Sequence, residues 1–270
     1  MLVATWNVNS IRARMPRVVD FCEKQRPDVL CMQETKVTDE DFPADDLRGI
    51  GYDVQFSGQK SYNGVAIASL LPMEVLTCGF DDGGEPEDAS RLLIVQVQPT
   101  PDDPRTPVPL VNTYVPQGKN PDDAAFRYKL DWLQRLRSLF DRHWTPRKRV
   151  LWVGDMNVAP HPIDIWEPER HENHPDYHPD ARAAFAHTAD WGFVDCFRTH
   201  HPDAEEYTYY DYRDPLAIEN GHGWRVDHIM ATKPLAKYCT ECWIDIEPRT
   251  QEKPSDHTPM LARFEFRGRR

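Results

Sequence analysis

The chain has 270 residues, of which 40% are hydrophobic and 28% are charged, and it contains no apolar run long enough to span a bilayer. That length and composition are typical of a protein with one large hydrophobic core, so we expect a single domain over residues 1–270. The formal net charge of -12 excludes a uniformly basic surface of the kind that binds nucleic acid without selectivity.

The charges are unevenly distributed along the chain. Acidic residues concentrate in residues 39–46 and 81–88. Basic residues lie near the polar motifs described below, namely Arg12, Arg14, Arg17, Lys36, Lys60, Lys119, Arg127 and Lys129. These positions predict a locally basic face on an acidic protein, and the alternative is that they are ordinary solvated charges.

The cysteines and the first residues of the chain indicate the cellular compartment of the protein. A strand-like segment begins at Leu2 with no secretory leader ahead of it, so we expect a cytoplasmic protein with no membrane contact. The six cysteines are scattered through apolar surroundings, which predicts reduced thiols. Cys239 and Cys242 have the CxxC spacing, but no second such pair accompanies them, and neither a zinc site nor a redox site is expected there.

Short apolar runs predict nine strands, in chain order over residues 2–7, 29–33, 52–56, 64–69, 92–97, 108–115, 150–154, 225–231 and 260–266. Helical periodicity predicts helices over 16–25, 122–144 and 180–190, and Pro16 suits a first helical turn. Residues 159–179 are rich in Pro, His and Asp and predict a long surface loop. Many strands with few helices indicate an α/β protein in which two packed sheets have helices outside them.

The segment 149–157 carries the clearest chemical signal, because an apolar strand stops at Gly154 and presents Asp155 and Asn157. Period-two alternation predicts that both side chains project to the same side of an extended backbone. A carboxylate and a carboxamide placed together can hold a water molecule against a phosphate. The alternative for this segment alone is a strand end closed by an Asx turn.

Further polar residues follow other apolar runs, and they are of the types that a phosphoester hydrolase requires: Asn7, Glu34, Asn112, Tyr114, Gln117, Asp227, Asp256 and His257. Each one also has a structural interpretation. Glu34 fits a surface carboxylate, Asp227 fits an ion-pair partner of Arg225, and Asp256 with His257 fits an Asx turn. Their joint occurrence favours a functional site over separate structural roles, because so many suitable residues are not expected to follow apolar runs by chance.

The sequence resembles the exonuclease III and apurinic endonuclease branch of the endonuclease, exonuclease and phosphatase superfamily over almost its whole length. The motifs that carry this resemblance are Ala-Thr-Trp-Asn-Val-Asn-Ser-Ile-Arg-Ala, Pro-Asp-Val-Leu-Cys-Met-Gln-Glu-Thr-Lys, Tyr-Asn-Gly-Val-Ala, Asn-Thr-Tyr-Val-Pro-Gln-Gly, Gly-Asp-Met-Asn-Val-Ala-Pro, Trp-Arg-Val-Asp and Pro-Ser-Asp-His. The resemblance implies a four-layered α/β sandwich of the DNase I-like type, with two mostly antiparallel sheets flanked by helices. It also implies phosphodiester hydrolysis in DNA with a divalent cation, usually magnesium, for which manganese substitutes.

Chemistry and the resemblance together assign roles. Glu34 is the first candidate metal ligand, with Asn7 beside it, and the wider metal set includes Asp155, Asn157, Asp256 and His257. Asp155 would orient or deprotonate the attacking water, and Asn157 would hold that water or the phosphate. His257 would donate to the phosphate while Asp227 fixes its ring and favours protonation. Tyr114 would position the phosphate or assist the departing oxygen.

We expect substrate recognition to depend on an aromatic pocket. By their place in the motifs, Tyr209, Trp224 and Val226 resemble a pocket that accepts a base-free sugar, and core packing is the alternative. Trp166 would either wedge against the duplex or restrict the enzyme to DNA ends. We also assign substrate contacts to Arg12, Lys36, Arg91 and Gln117. Four loop histidines have irregular spacing and are expected to face solvent rather than bind zinc: His161, His171, His174 and His178.

The sequence therefore predicts a magnesium-dependent DNA phosphodiesterase of base excision repair. It would incise 5′ to abasic sites, trim 3′ ends or remove 3′ phosphates on double-stranded DNA. The alternatives are a phosphatase of the same superfamily acting on a lipid or small-molecule phosphoester, and a non-catalytic DNA-binding relative. The phosphatase branches tend to have a histidine where this chain has Tyr114 and lack the Tyr-Val-Pro-Gln-Gly run. A monomer with no obligate protein partner is expected.

Overall fold

The structure, a computed structural model, describes residues 1–99 and 107–266. Its strands are β1 Leu2–Asn7, β2 Val29–Gln33, β3 Asp53–Ser57, β4 Val65–Ser69, β5 Met73–Cys78, β6 Leu92–Val97, β7 Val108–Tyr114, β8 Leu151–Asp155, β9 Phe193–Asp195, β10 Asp227–Thr232, β11 Cys239–Ile244 and β12 Met260–Phe264. The helices are α1 Ile11–Gln25, α2 Ala44–Gly49, α3 Ala124–His143, α4 Pro179–Ala189, α5 Cys196–His200, α6 Ala217–Asn220 and α7 Lys233–Ala236.

The strands form two sheets of six with closely matched topology. One sheet has the order β11-β12-β1-β2-β4-β3, and the other has the order β5-β6-β7-β8-β10-β9. In each sheet a single central pair is parallel, β1 with β2 and β7 with β8, and the remaining pairs are antiparallel. The expected pair of mostly antiparallel sheets is confirmed.

Three apolar clusters lie between the four layers of the fold. One cluster fills the space between the sheets and includes Val3 and Leu110. A second packs α1 and α2 against the first sheet, and a third packs α3 and α4 against the second sheet. The central strands are buried on both faces, which is why they read as continuous apolar runs. This layering is the four-layered α/β sandwich that the sequence predicts.

The buried amide of Asn112 ties the two sheets together. Its Nδ2 donates to the carbonyl oxygens of Met32 and Ala66 at 3.1 and 3.0 Å, and its Oδ1 accepts from Gln33 at 2.7 Å. All its partners lie in the facing sheet, so a polar side chain sits in the core with its hydrogen bonds made. Asn112 therefore has a structural position and does not face the cavity described below.

Several expected elements differ from the structure. Three strands were not predicted, β5, β9 and β11, and each of them lies at an edge of its sheet. The helix expected to begin at Pro16 begins at Ile11, because Ile11 and Met15 extend its buried face and place Pro16 inside the helix. The strand expected over 225–231 begins only at Asp227, since the backbone of Trp224 and Arg225 pairs with other loops. The loop over 159–179 was predicted correctly and contains two short 3-10 turns.

The strand that carries Asp155 ends differently from the prediction. It continues through Gly154 to Asp155, and Asn157 then takes a left-handed conformation with a φ of 48° instead of continuing the extended backbone. Gly154 is required here because a Cβ would lie 2.0 Å from the carbonyl oxygen of Thr113 on the neighbouring strand. The close approach of β7 and β8 therefore fixes the position from which Asp155 projects.

No helix within residues 1–99 and 107–266 is long and apolar enough to cross a membrane.

Candidate active site

The topology brings the chemical residues to one edge of the sandwich. β1 and β2 are parallel, as are β7 and β8, so the carboxyl ends of each pair point to the same edge. β10 runs antiparallel to β8 and starts there, which places Asp227 opposite Asp155 in register. β12 runs antiparallel to β1, so the segment before it, with His257, reaches the same edge. Residues from distant parts of the chain therefore meet above the sheets.

The amide of Asn7 bridges two carboxylates. Its Nδ2 donates to Glu34 Oε1 at 2.9 Å and to Asp155 Oδ2 at 2.8 Å, while its Oδ1 accepts from the backbone of Asn9 at 3.0 Å. The nitrogen therefore faces the carboxylates, although the oxygen is the only side-chain atom that could bind a metal. This orientation argues against the expected role of Asn7 as a metal ligand and makes it the group that positions Glu34 and Asp155.

Glu34 lies just after β2 with a left-handed φ of 51°, and its carboxylate lines the cavity above the sheet edge. Burial alone would raise its pKa, but the ammonium of Lys36 at 2.7 Å and the Asn7 amide outweigh that effect and lower the pKa. Tyr114 lines the same cavity with Arg91 packed over its ring at 4.7 Å, and burial, followed by the charge of Glu34, raises the pKa of Tyr114. Glu34 is therefore held as an anion.

Asp155 is buried, with its side chain 1% exposed. Burial, and next the nearby Asp227 carboxylate, raise its pKa above the ordinary range. The backbone N–H of Asn157 donates to Asp155 Oδ1 at 2.9 Å, while the Asn157 side chain donates to the carbonyl oxygen of Val115 at 2.8 Å. The Asx-turn geometry weighed for this segment is thus present, and Asn157 lines the cavity described below while Asp155 is buried beside it.

Asp227 and His257 form a hydrogen-bonded pair. His257 Nδ1 lies 2.7 Å from Asp227 Oδ2, and His257 Nε2 lies 3.9 Å from Asp155 Oδ2. Burial alone would lower the pKa of His257, but the charge and hydrogen bond of Asp227 outweigh it and raise the pKa to about 10. A protonated ring donates from both nitrogens, which agrees with the expected role of His257 as a donor, and its expected metal role stays a prediction.

The site has the charge and donor atoms that suit a cation. In the part of the chain that the structure describes, Asp155, Asp227 and His257 form the one group whose ligand atoms all lie within 4.8 Å of one another. Asp227 Oδ1 is buried there with no hydrogen-bond partner. Three carboxylates, those of Glu34, Asp155 and Asp227, face two cationic groups, so the site carries an excess of negative charge. Such an oxygen-rich, anionic site fits a hard divalent cation.

Above these residues lies a cavity of about 560 Å³ whose walls include Tyr209, Trp224 and Val226. Isolated bridges hold Tyr209 against both Trp224 and His257, and the ring centroids of Tyr209 and His257 are 5.0 Å apart. The three expected pocket residues are therefore next to the catalytic candidates. Trp224 and Val226 are buried, and Tyr209 is half-buried, so the pocket has an apolar wall.

Trp166 stands at the rim of this cavity. Its ring stacks on His222 at 4.1 Å and 20°, and His222 contacts Asp214 at 2.6 Å. His171 and His174 pack against Trp224 at 5.0 and 4.4 Å and line the same cavity, which corrects the expectation that they face solvent only. Their rings fill the space beside the indole and are only partly exposed to solvent.

The remaining expected residues lie at different distances from the centre. Gln117 lines the cavity and donates to Asp176, and Lys36 bonds to Glu34. Asp256 lines the cavity, but its Oδ1 accepts from Asn9 at 2.9 Å, outside the compact Asp155, Asp227 and His257 group. Arg12 is exposed on α1, away from the lining residues.

Lys129 was expected on a basic face, but the structure buries it completely. Its Nζ donates to Asp176 Oδ1 at 2.9 Å and to the carbonyl oxygens of Asn157, Gln117 and Pro175 at 2.5, 3.1 and 2.9 Å. One ammonium thus joins three loops that surround the cavity. Its place among Phe126, Leu133 and Leu136 on the apolar stripe of α3 is the sequence signal that could have indicated burial.

A second buried cation was also missed. Arg225 is fully buried and contacts Asp164 Oδ1 at 2.6 Å and Asp195 Oδ2 at 2.8 Å, rather than the neighbouring Asp227. These two pairs hold the segment that leads into Val226 and Asp227. Asp164 and Asp195 lie far from Arg225 along the chain, so spacing gave no signal for this network.

Comparison with known proteins agrees with the geometry. The model of the endonuclease/exonuclease/phosphatase family matches residues 4–257. Exodeoxyribonuclease III of Haemophilus influenzae is 31% identical over 98% of this chain and 100% of its own length.

The chain belongs to this endonuclease/exonuclease/phosphatase family.

Solved structures of family members superpose over the whole fold. An AP endonuclease from Archaeoglobus fulgidus has a TM-score of 0.93 and 47% identity, covering 98% of this chain and 100% of its own. A 3′ phosphatase from Neisseria, in a structure bound to product DNA hairpin, has a TM-score of 0.89 and 31% identity with the same coverage. This family member is accordingly a hydrolase of the exonuclease III and AP endonuclease type.

The Asp227 carboxylate is expected to control the protonation of His257 in this family member. In Asp227→Asn, His257 should titrate nearer to its ordinary value of about 6.5, whereas the wild-type ring should stay protonated up to about pH 10. NMR titration of ¹³C-labelled histidine measures both values. Turnover on a stable abasic analogue should correspondingly be lost at a lower pH in the variant.

The matched control for this titration is Asp256→Asn. Asp256 also raises the pKa of His257, but less than Asp227 does, so the control should lower it by a smaller amount. Equal titration curves for wild type and Asp227→Asn would contradict the proposed dependence on the carboxylate.

Replacing Lys129 with Met should destabilise the fold, because the buried Asp176 carboxylate and the three carbonyl oxygens lose their donor. The expected loss in the free energy of unfolding is about 3–5 kcal/mol, measured by urea denaturation. Lys148→Met changes an exposed lysine and should stay within about 0.5 kcal/mol of wild type. A Lys129→Met protein as stable as this control would show that the ammonium does not hold the three loops.

Proposed function

We propose that the protein is a magnesium-dependent DNA phosphodiesterase that incises 5′ to abasic sites and also processes blocked or frayed 3′ ends. The observation that carries this proposal is the Asn7 amide bridging Glu34 and Asp155, 2.9 and 2.8 Å away, beside the Asp227–His257 pair. The arrangement supplies an anionic ligand, a water-handling carboxylate and a phosphate donor within one cavity.

The residues fit magnesium better than a softer metal. The donors nearest the site centre are carboxylate oxygens, which suit magnesium, and no cysteine lines the cavity in the described part of the chain. We assign Glu34 as the main ligand, since Lys36 and Asn7 keep it ionised. When bound, magnesium would neutralise charge on the phosphate and polarise its non-bridging oxygens.

Asp155 accepts the proton of the attacking water in this proposal. Its raised pKa suits a general base, and the Asn7 and Asn157 hydrogen bonds hold its carboxylate in one orientation. The water oxygen forms a bond to phosphorus, and the bond from phosphorus to the 3′ oxygen breaks. Asn157 is neutral and does not repel the phosphate, so we keep it as a residue that positions the water or the phosphate.

His257 stabilises the phosphate charge that grows during the reaction. Its Nδ1 is occupied by Asp227, so the free Nε2 is the atom that would donate to a phosphate oxygen. Because the ring is protonated and buried, the hydrogen bond would be charge-assisted in a site of low polarity. Tyr114, whose hydroxyl faces Glu34, would position the phosphate from the opposite side.

The substrate reaches these groups through the aromatic pocket. A flipped deoxyribose without a base would pack against Tyr209, Trp224 and Val226, and the absence of a stacked base makes such flipping easier. Arg213, paired with Asp211 at the mouth, and Lys36, paired with Glu34, are the cations that would contact the DNA phosphates on an otherwise acidic protein. Two solved relatives, an AP endonuclease and a 3′ phosphatase, support both substrate types.

The finer attributes stay predictions: a single domain, a monomer in solution, a cytoplasmic location and the absence of an obligate protein partner.

Asp155→Asn should lower kcat by about 10²–10⁴-fold, because the amide cannot accept the proton of the attacking water. The assay is a strand-labelled duplex with one abasic analogue, incubated with magnesium or with chelator. Circular dichroism should show an intact fold, since Asn can keep the hydrogen bond from Asn7. Asp46→Asn, an exposed carboxylate on α2, serves as the control and should match wild type. Near wild-type turnover by Asp155→Asn would remove the residue from the mechanism.

Trp166→Gly should change the ratio of abasic-site incision to 3′-end processing, because the indole and His222 form the rim that an intact strand must pass. The two rates are measured on matched duplexes that carry an internal abasic analogue or a 3′ phosphate. Trp144→Gly removes an indole that does not line the cavity and should leave the ratio unchanged. If Trp166→Gly gives the wild-type ratio, the rim does not select the substrate.

A further inference from the structure

Arg91 lies beside Tyr114 but does not line the catalytic cavity. Arg91 immediately precedes β6 and Tyr114 ends β7, so the two residues are neighbours at one end of this antiparallel strand pair. The backbone N–H of Tyr114 donates to the carbonyl oxygen of Arg91 at 2.8 Å. Tyr114 is part of the cavity wall, whereas the Arg91 side chain lies behind it and is 16% exposed. Any influence of Arg91 on the cavity therefore passes through Tyr114.

The guanidinium of Arg91 holds Tyr114 at two points. Its central carbon lies 4.7 Å from the centroid of the Tyr114 ring, which is within the range of an attractive cation–π contact. Its Nη1 donates to the carbonyl oxygen of Tyr114 at 3.1 Å. One contact fixes the ring and the other fixes the backbone, so together they restrict the direction in which the phenol points.

The carboxylate of Asp88 in turn holds the guanidinium. The backbone N–H of Arg91 donates to the carbonyl oxygen of Asp88 at 2.9 Å, which closes a turn in which Asp88 has a left-handed φ of 60°. Asp88 Oδ1 lies 4.0 Å from Arg91 Nε. The Asp88 side chain is only 7% exposed, so solvent and salt screen this attraction weakly. Asp88 is therefore the counter-charge that keeps the guanidinium over the Tyr114 ring.

Two residues of α3 fix the Asp88 carboxylate. The hydroxyl of Tyr128 donates to Asp88 Oδ1 at 2.5 Å, and Arg135 Nη1 lies 3.7 Å from Asp88 Oδ2. Tyr128 and Arg135 are two turns apart, which places them on the same face of the helix. A continuous line of contacts thus runs from α3 through Asp88 and Arg91 to the phenol of Tyr114.

We propose that Arg91 and Asp88 are positioning residues for the phosphodiesterase reaction, in which Asp88 fixes Arg91 and Arg91 aims the Tyr114 hydroxyl at the phosphate. This inference rests on the proposed function of the cavity. It replaces the direct substrate contact expected of Arg91, because the guanidinium covers the Tyr114 ring instead of lining the cavity. A donor that is already oriented stabilises transition-state charge without a cost of reorganisation during the reaction.

The first experiment observes Tyr114 without turnover, by NMR of protein labelled with ¹³C at tyrosine Cζ. The Tyr114 signal is the one that disappears in Tyr114→Phe. Arg91→Met should shift this signal because the cation over the ring is lost, and Asp88→Asn should shift it less. The matched control is Asp82→Asn, since Asp82 lies in the same loop but pairs with Arg135 at 2.8 Å. The control should leave the signal in place. An unmoved Tyr114 signal in Arg91→Met would overturn the proposal.

The second experiment measures kcat and KM on a duplex with one abasic analogue. Arg91→Met should lower kcat by about 10–10²-fold, the size of effect that a misplaced group produces, while KM stays within about twofold of wild type. Arg91→Lys should recover part of the loss, since the ammonium keeps a cation over the ring. Asp88→Asn should lower kcat by a smaller factor, and Asp82→Asn should match wild type.

A direct phosphate contact by Arg91 would give a different kinetic result. Arg91→Met would then raise KM, leave kcat unchanged and weaken the salt dependence of DNA binding, because one fewer phosphate would be neutralised. That combination of results would overturn the positioning role. Circular dichroism is used to check the fold of each variant, and Arg91→Lys keeps the kinetic test available if Arg91→Met does not fold.

A double variant shows whether Arg91 acts through the Tyr114 hydroxyl. In the Tyr114→Phe background, Arg91→Met should lower kcat by no more than about twofold, because residues that act as a unit give non-additive losses. The full loss in both backgrounds would contradict the proposal. If the wild-type protein left the duplex intact, the proposed nuclease function would fail, whereas the NMR experiment does not depend on turnover. The two failures are therefore distinguishable.

Discussion

The buried amide of Asn7 is the contact on which the catalytic edge depends. It joins Glu34, carried by the first sheet, to Asp155, carried by the second, with both hydrogen bonds shorter than 3 Å. Two carboxylates in a site of low polarity repel each other, and burial penalises each charge. A neutral donor between them offsets part of that cost without neutralising either one. The sandwich can therefore keep both acids together at one edge while its core stays apolar.

The cost of burying charged groups also explains the pairing of the two buried cations around the site. Lys129 and Arg225 are fully buried. Lys129 bonds to Asp176 in the cavity wall, and Arg225 bonds to Asp164 and Asp195, which do not line the cavity. Removing a single partner from such a pair leaves an uncompensated charge, which is why these residues hold loops in place rather than contact substrate. The carboxylates of the candidate catalytic group have fewer hydrogen-bond partners. Asp227 keeps one oxygen without a partner, so negative charge remains available in the group of side chains that could hold a cation.

The sequence predicted the central strands because they are buried on both faces and read as continuous apolar runs. It missed β5 and β11, whose exposed positions carry polar residues such as Glu74 and Glu241, and β9, which has only three residues. All three lie at sheet edges, where half the pairing and much of the burial are lost. Local pattern therefore identifies the interior of this fold better than its borders.

The candidate site also has a part that could be predicted from the sequence and a part that could not. Asp155, Asp227 and His257 could be selected from the sequence because each adjoins a strand end and because the motif order resembles a known family. The burial of Lys129 and the orientation of the Asn7 amide depend on partners far along the chain. Such contacts have no local period, so only the assembled fold reveals them.

The floor of the cavity is formed by residues at strand ends, and its rim is formed by loop residues. This difference affects which DNA substrate the site selects. The floor is fixed by strand registers, including Asp227 opposite Asp155 and the close approach of Gly154 to Thr113. The rim consists of loop residues, with Trp166 stacked on His222 and His171 packed on Trp224. An AP endonuclease and a 3′ phosphatase both superpose on this chain with TM-scores of 0.93 and 0.89, so the shared fold does not by itself separate the two activities. If the chemistry resides in the floor, the choice between an internal abasic site and a 3′ end falls to the rim, where a change of one loop side chain leaves the strand registers intact.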